Sequence, residues 1–427
     1  MEFCITAEGA DALSGGLQGM RGVDAALYYR TLPDRSTVLA TGHPVVRQLV
    51  LEALRHWATE FNLQGFCFVN AEHLTLDRNG EVLDNPPLVE DICLDGVLSG
   101  LKLIAAPGNP ALLPREGVRG FPHWSRWMQV NDRFKDDLWG YLVQGKAGCL
   151  SAVATRLTGS ADLFGPQWDA VPSLPGGLAA GRRAAYGVNS LVGLGDHPLL
   201  QALGSDQDLE RAEVLARTLL LAMFVSSGTP LVTANTLNRK GLWRFTAMMT
   251  AVRKQYMDLI NPPLTFAPLA AGAVPSKPVR ELRWHGAGPG AEVDWHNAAQ
   301  GVAPSNLIAF TLRDSGERAL YVAFNPYPHH VSVALPGPAA AGAWRLVVDT
   351  SRLPPEDIDL EGPLLPVGQP LFDVAPQAGI LLISAAPGAT STRTAPSAPE
   401  PPIVSSRPGS VSPSRGIWMD GKVILHK

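Results

Sequence analysis

Pro44-Val45-Val46-Arg47-Gln48-Leu49-Val50-Leu51-Glu52-Ala53-Leu54-Arg55-His56-Trp57-Ala58-Thr59-Glu60-Phe61, then Leu63-Gln64-Gly65, then Phe66-Cys67-Phe68-Val69, is the stretch on which the fold turns. Pro44 suits a first helical turn, where a missing N–H costs nothing. Val45, Val46, Leu49, Val50, Ala53, Leu54, Trp57 and Phe61 recur at helical spacing, which predicts an amphipathic helix over 43–61. The short loop that follows leads into an apolar run that reads as a buried strand. Helix then strand is half of a β/α repeat.

The same grammar recurs downstream. Pro86 to Ile92 opens a short helix and Leu101 to Ala106 follows as a buried strand; 206–225 reads as helix, Pro230 to Thr233 as a short strand and Leu242 to Ile260 as helix. Alternation of this kind predicts the α/β class, with a parallel sheet or a (β/α)8 barrel carrying its functional residues at the C-terminal ends of the strands. Beyond about residue 300 the pattern changes. Asn306 to Leu312, Ala319 to Asn325, Val331 to Leu335, Trp344 to Val348 and Gly379 to Ser384 are short β-rich runs separated by Pro/Gly turns, the pattern of an antiparallel sandwich. The division expected is a barrel-type domain over 1–265, a sandwich over 280–385 and a disordered tail over 386–427, where Pro, Ser, Thr, Ala and Gly offer too little apolar surface to offset ordering entropy.

Composition narrows the functional classes. At 46% hydrophobic and 17% charged residues the chain is globular in character, not wholesale disordered. A formal charge of −4 with no block of Lys or Arg argues against nucleic acid as a partner. Cys4, Cys67, Cys93 and Cys149 show neither CxxC pairing nor a regular framework and read as four thiols of a reducing compartment. No His/Asp/Glu cluster has metal-ligand spacing, and Gly286 to Gly290 lacks the strand–loop–helix frame and lysine of a phosphate loop, so neither metal nor cofactor is expected. No apolar run reaches the ~18 residues of a transmembrane helix, and no membrane partner is expected. Met1 is followed at once by strand-like Phe3-Cys4-Ile5-Thr6, leaving no room for a transit peptide in this chain.

Particular words in the chain resemble the isoamylase branch of the α-amylase superfamily. Gly65-Phe66-Cys67-Phe68-Val69-Asn70-Ala71 resembles that family's strand-four G-F-R-F-D-L-A, Asn85-Pro86-Pro87-Leu88-Val89-Glu90 its N-P-P-L-I-E, and Lys102-Leu103-Ile104-Ala105-Ala106 its strand-five K-L-I-A-E. Phe121-Pro122-His123-Trp124, with Asn131, Arg133, Phe134, Lys135 and Asp136 downstream, resembles F-P-H-W followed by W-N-G-K-Y-R-D. Leu282-Arg283-Trp284-His285-Gly286, Tyr321-Val322-Ala323-Phe324-Asn325 and Leu346-Val347-Val348-Asp349-Thr350 are similar to further family words in the same order. The family's N-terminal sandwich and opening barrel strands have no counterpart here. The resemblance therefore implies a partial (β/α)8 barrel followed by a C-terminal antiparallel β-sandwich.

What it implies about chemistry is a loss. Retaining glycoside hydrolysis needs a carboxylate nucleophile and a carboxyl acid only ~5 Å apart. At the family's nucleophile position stands Val69, at the general-acid position Ala106, at the third carboxylate's position Ser190 (after Asn189), and the supporting arginine is replaced by Cys67. No catalytic residue is expected. Glu72, Glu90 and Asp91 are nearby acids, the first three residues past the nucleophile position and the others at a helix start where acids favour the dipole.

Trp124, His123, Trp284 and His285 are candidates for binding sugar, by stacking or hydrogen bonding, against the commoner reading of aromatic packing at a domain junction, which applies equally to Trp127, Trp243 and Trp295. His329-His330, beside Pro328, reads as an exposed turn. The substitutions resemble those of the non-catalytic plant and green-algal isoamylase isoform. That resemblance implies a regulatory subunit of starch debranching in the plastid, with a catalytic isoamylase and an amylopectin-like α-glucan as partners. Two other readings stand beside it: an α-1,6-glucan hydrolase whose catalytic residues lie elsewhere, and a glucan-binding remnant of a truncated gene.

Overall fold

His43 begins the decisive helix: its imidazole Nδ1 accepts from the Val45 N–H at 3.3 Å, with Pro44 in the first turn. The structure, a computed structural model, describes residues 2–4, 6–7, 20–32, 37–109, 113, 121–122, 126–160, 163, 187–192, 199–204, 208–233, 237, 239–261, 280–286, 293, 295, 306–314, 318–338, 342–366 and 368–385. From the N-terminus, β1 (Glu2–Cys4) precedes a small antiparallel sheet of β2 (Thr6–Ala7), β3 (Tyr29–Thr31) and β4 (Thr37–Leu39), with helix α1 (Arg21–Tyr28) inside it. Helix α2 (Pro44–Glu60) leads to β5 (Gly65–Val69), α3 (Pro87–Leu94) to β6 (Lys102–Ala106), and β7 (Trp127–Asn131) runs into α4 (Asp132–Leu142) and α5 (Leu150–Leu157). Then come β8 (Gly187–Ser190), α6 (Leu199–Leu203), α7 (Leu209–Val225), β9 (Thr229–Leu231), α8 (Lys240–Gln255) and α9 (Met257–Ile260).

Six of these strands form one sheet in the order β1-β5-β6-β7-β8-β9, and every neighbouring pair is parallel. Sequential order with every pair parallel is the strand arrangement of a β/α barrel, in which helices cover one face of the sheet. Phe66, Phe68, Leu103, Ala105 and Trp127 point to that face and pack with Val46, Val50 and Leu54 of α2 and Leu88, Val89 and Ile92 of α3. The partial barrel expected from the sequence is present.

The second part holds β10 (Arg280–His285), β11 (Ile308–Asp314), β12 (Ala319–Phe324), β13 (Val331–Ala334), β14 (Ala343–Asp349), β15 (Leu371–Val374) and β16 (Gly379–Ala385). A five-stranded antiparallel sheet, β10-β11-β12-β16-β14, lies with the two-stranded β13-β15 sheet. Strand β12 is buried at all six positions because both of its faces are covered. Tyr321 and Ala323 join Val333, Trp344 and Val374 in the core between the two sheets, while Leu320, Val322 and Phe324 join a core shared with the helices of the first part.

Helix α7 is the centre of that shared core. Apolar nearly all round, as buried helices are, it packs Leu219, Leu220, Leu221 and Met223 among Leu138, Tyr141, Val153, Phe245, Phe310 and Val322. Its buried Arg217 donates from Nε to the Thr350 carbonyl at 3.1 Å and faces the buried Asp357 at 4.0 Å, and Arg244 of α8 forms a second ion pair with the same carboxylate. Thr218 and Thr350 share a hydroxyl bond of 2.7 Å, and the Tyr141 hydroxyl donates to the Phe324 carbonyl at 3.1 Å. Arg253 of α8 turns its guanidinium onto the carbonyls of Phe224 and Ser226 at the C-terminal end of α7 and of Gly228 in the turn beyond it, and burial pulls its pKa down to about 10.

The structure departs from expectation in detail. The helix expected from 206 starts at Leu209, where the Asp208 carboxylate accepts from the Arg211 N–H at 3.4 Å. The helix expected to run to Ile260 breaks at Tyr256 into α8 and α9. Strands β7 and β15 and helices α4 and α5 are additions to the elements expected from the sequence; in β7, Gln129 and Asn131 sit on the helix-side face where apolar residues are usual. The tail over 386–427 lies outside the described residues. Cys67, Cys93 and Cys149 form no disulfide, and burial pushes the Cys93 thiol up to about 11.

Removing Asp357 leaves two guanidinium groups facing a buried space without their carboxylate. Breaking one side of a buried charge cluster typically costs about 3–5 kcal/mol. Asp357→Ala is expected to lower the unfolding free energy by that order and to move the urea midpoint down with it; a midpoint unchanged within error would remove this contact from the account.

Candidate functional site

In a parallel β/α sheet, the C-terminal strand ends and the loops after them form the working surface. Val69 ends β5 and Ala106 ends β6, and the two are direct register partners. Adjacent parallel strands lie ~4.8 Å apart, close to the spacing a retaining carboxyl pair requires. The backbone therefore offers the geometry of such a pair. Neither side chain has an oxygen, a proton to give or a charge to stabilise an oxocarbenium ion. Cys67 lies two positions before Val69 on the same face, beside Ile104 of β6.

Asn70, the next residue after Val69, takes the left-handed conformation at φ 55° and turns the chain into a short 3-10 turn over Ala71–Thr75. That turn delivers Glu72 beneath the loop after β6. The Glu72 carboxylate is buried and accepts from the Gly108 N–H and the Asn109 N–H, each at 2.9 Å. A Cβ at Gly108 would meet the Asn70 Oδ1 at 2.3 Å, so a larger residue there displaces the Asn70 side chain. With both carboxylate oxygens engaged by backbone amides, Glu72 holds a loop in place.

The end of β7 and of β8 carry a buried polar chain. Asn131 Oδ1 accepts from the Phe134 N–H at 3.2 Å and so caps α4, while its Nδ2 donates to Ser160 Oγ at 2.7 Å and to Asn189 Oδ1 at 3.3 Å. Asn189 Nδ2 donates to the Ser227 carbonyl at 2.9 Å. Ser190, the family's third carboxylate position, closes β8 and donates to the Val192 carbonyl at 2.6 Å. These bonds tie β7, β8 and the approach to β9 together. Among them Asn131 was visible in the sequence as part of a family word; the Asn131–Asn189 link had no local signal.

Two of the four candidate sugar-binding residues are among those described. His123 and Trp124 lie outside the described residues. Trp284 and His285 are on β10. The Trp284 ring packs edge-on against Trp295 at 5.4 Å and on Phe310 at 5.3 Å, in a small crevice with Leu157, Val225, Ser227 and Ile260. Val225 and Ser227 directly precede β9, at the N-terminal end of the sheet, opposite to Val69 and Ala106. His285 pairs its Nε2 with Thr311 Oγ1 at 2.7 Å and leans on Tyr321 at 5.7 Å; burial, then the charges of Arg283 and Arg313, pull its pKa down to about 4. Both residues have packing partners in the sandwich and its junction. Among the described residues no cluster of three His, Cys, Asp or Glu could hold a metal, and no helix is long and apolar enough to cross a membrane.

The fold is that of the α-amylase-type glucan hydrolases. A type I pullulanase from Bacillus subtilis str. 168 superimposes with a TM-score of 0.52 at 14% identity, covering 84% of this chain and 50% of the enzyme. The pullulanase of Paenibacillus barengoltzii does so at 0.52 and 16% identity, covering 90% and 58%. In sequence the chain is an isoamylase-type relative: residues 283–368 match the family "Isoamylase 1-3, C-terminal". Chloroplastic isoamylase 2 of Oryza sativa subsp. japonica is 31% identical over 381 residues, 82% of this chain and 46% of that protein, and isoamylase 2 of Arabidopsis thaliana is 28% identical over 84% and 44%. Chloroplastic isoamylase 3 of Oryza sativa subsp. japonica is 27% identical over 87% and 52%. The chain thus spans about half the length of the curated relatives it matches.

Glu72 generates a specific expectation. Glu72→Ala strands two amides that now bond to a charged oxygen, a loss of about 1–3 kcal/mol. Hydrogen exchange at Gly108 and Asn109 should quicken markedly, while exchange in β12 stays slow; unaltered exchange at 108–109 would show that the carboxylate does not hold the loop.

Proposed function

We propose that this chain is a non-catalytic, regulatory isoamylase-type subunit that acts in plastidial starch debranching beside a catalytic isoamylase, on amylopectin-like α-glucan. The observation that carries the reading is the pairing of Val69 with Ala106 at adjacent strand ends. The scaffold retains the spacing for two carboxyl groups and supplies two aliphatic side chains. Losing both members of a catalytic pair removes the mechanism instead of slowing it. Glu72, the nearest buried acid, is committed to two backbone amides. Relatives that carry "chloroplastic" in their names support the plastid as the compartment.

A protein with this scaffold and no acid–base pair still contributes if it shapes or stabilises an active neighbour. The test is light scattering after size exclusion of this chain mixed with a catalytic isoamylase from the same cell. A shared peak heavier than either component is expected, with debranching by the mixture exceeding that of the catalytic partner alone. Separate elution with unchanged debranching would overturn the reading.

A further inference from the structure

A small crevice lies where the two parts of the chain meet. Thr158, next after α5, and Ser227, ahead of β9, come to it from the first part; Leu282 and Trp284 of β10 and Phe310 and Leu312 of β11 come from the second. Its walls are mostly apolar, and it has room for about one water-sized group, far less than a pyranose ring needs. The Trp284 ring is held there by Trp295 and Phe310. Its indole Nε1 is shielded from solvent and has no hydrogen-bond acceptor among the described residues.

Such a donor is unusual, because buried polar groups in folded proteins are paired with protein or with bound solvent, and a buried indole N–H is no exception. Two side-chain hydroxyls line the same crevice. Thr158 Oγ1 donates to the Ala154 carbonyl at 2.9 Å, and Ser227 Oγ donates to the Ile260 carbonyl at 2.9 Å. Both hydroxyl protons are therefore committed, and each oxygen keeps lone pairs with which to accept. Neither accepts from Trp284 directly. A group that mediates between them must accept from an indole N–H and donate to a hydroxyl oxygen. A carbonyl or carboxylate oxygen has no proton to donate, and an ammonium has no lone pair to accept with. A hydroxyl does both, and the apolar walls suit a CH2 attached to it.

We infer that this crevice is a hydroxyl-binding subsite, in which one O–H group accepts from Trp284 Nε1 and donates to Ser227 or Thr158. Water and the hydroxymethyl arm of a glucosyl unit carry this same chemistry, the sugar ring in the second case staying outside the crevice. The subsite bridges the two parts of the chain. It lies toward the N-terminal end of the parallel sheet, away from Val69 and Ala106, so it is independent of what the strand ends do. Only the glucan source of the hydroxyl rests on the substrate class proposed above.

The test uses the full chain with isotope label in its ten tryptophans and nuclear magnetic resonance of the indole N–H groups. Trp284→Phe identifies the signal of residue 284; if that variant misfolds, Trp295→Phe identifies it by the shift of the ring packed edge-on against it. Magnetisation transfer to the Trp284 N–H is read for the chain alone and again with maltoheptaose. The expected result for the chain alone is a cross-peak to a long-lived bound water. A water cross-peak that persists unchanged with maltoheptaose supports the subsite with water as its occupant. A cross-peak to hydroxymethyl protons of the sugar, with a saturable shift of the N–H signal, supports it with glucan as occupant. Absence of a bound-water cross-peak together with no response to maltoheptaose overturns the proposal, because the indole donor then has no hydroxyl partner from either source.

Discussion

The arrangement depends on one helix that needs cover on all sides. Helix α7 is too apolar to face water, and neither part of the chain covers it alone. The helices α4, α5 and α8 supply one portion of its surroundings and the five-stranded sheet the other, through Phe310, Leu312, Val322 and Phe324. A burial of this size is non-directional and would tolerate sliding. Direction comes from the polar atoms set into it. Arg217 reaches Thr350 and Asp357, Thr218 reaches Thr350, and Thr350 accepts in turn from the Gly379 N–H at 2.9 Å. Each of these would be costly to bury unpaired, so they select one register between the parts.

This explains why the strand-end geometry does not depend on the side chains of Val69 and Ala106. The Val69–Ala106 pairing is set by backbone register and by Phe66, Phe68, Leu103 and Ala105 on the opposite face, none of which takes part in chemistry. The side chains at these two strand ends can vary while leaving those determinants untouched. The turn after Val69 is held by Glu72 on Gly108 and Asn109, again through backbone. The scaffold and the reaction are separable in energy.

Much of the fold was legible in the sequence because two periodicities are strong in it. The helix over 44–60 and the buried strand after it follow from spacing alone, and Ala319 to Asn325 reads as a short strand from its β-rich run, which the structure finds buried at every position from Ala319 to Phe324. Strand β7 escaped because polar Gln129 and Asn131 take helix-side positions, where they serve hydrogen bonds to Phe121 and to α4. The strand-end residues were located by family words, since no periodicity marks a missing carboxylate. The Arg217–Asp357 contact joins residues 140 positions apart, and no local pattern could announce it. The role of Trp284 and His285 was not legible for a related reason: an aromatic residue that stacks on sugar and one that fills a domain junction look alike in sequence.

The most direct test of the account is the release of reducing ends from amylopectin by this chain alone, at enzyme concentrations where a catalytic isoamylase debranches completely. The account predicts none above the buffer blank, because the two strand-end positions that would carry the reaction hold Val69 and Ala106. Release that rises in proportion to the chain and persists through further purification would contradict it, and would mean that carboxylates elsewhere in the molecule perform the cleavage.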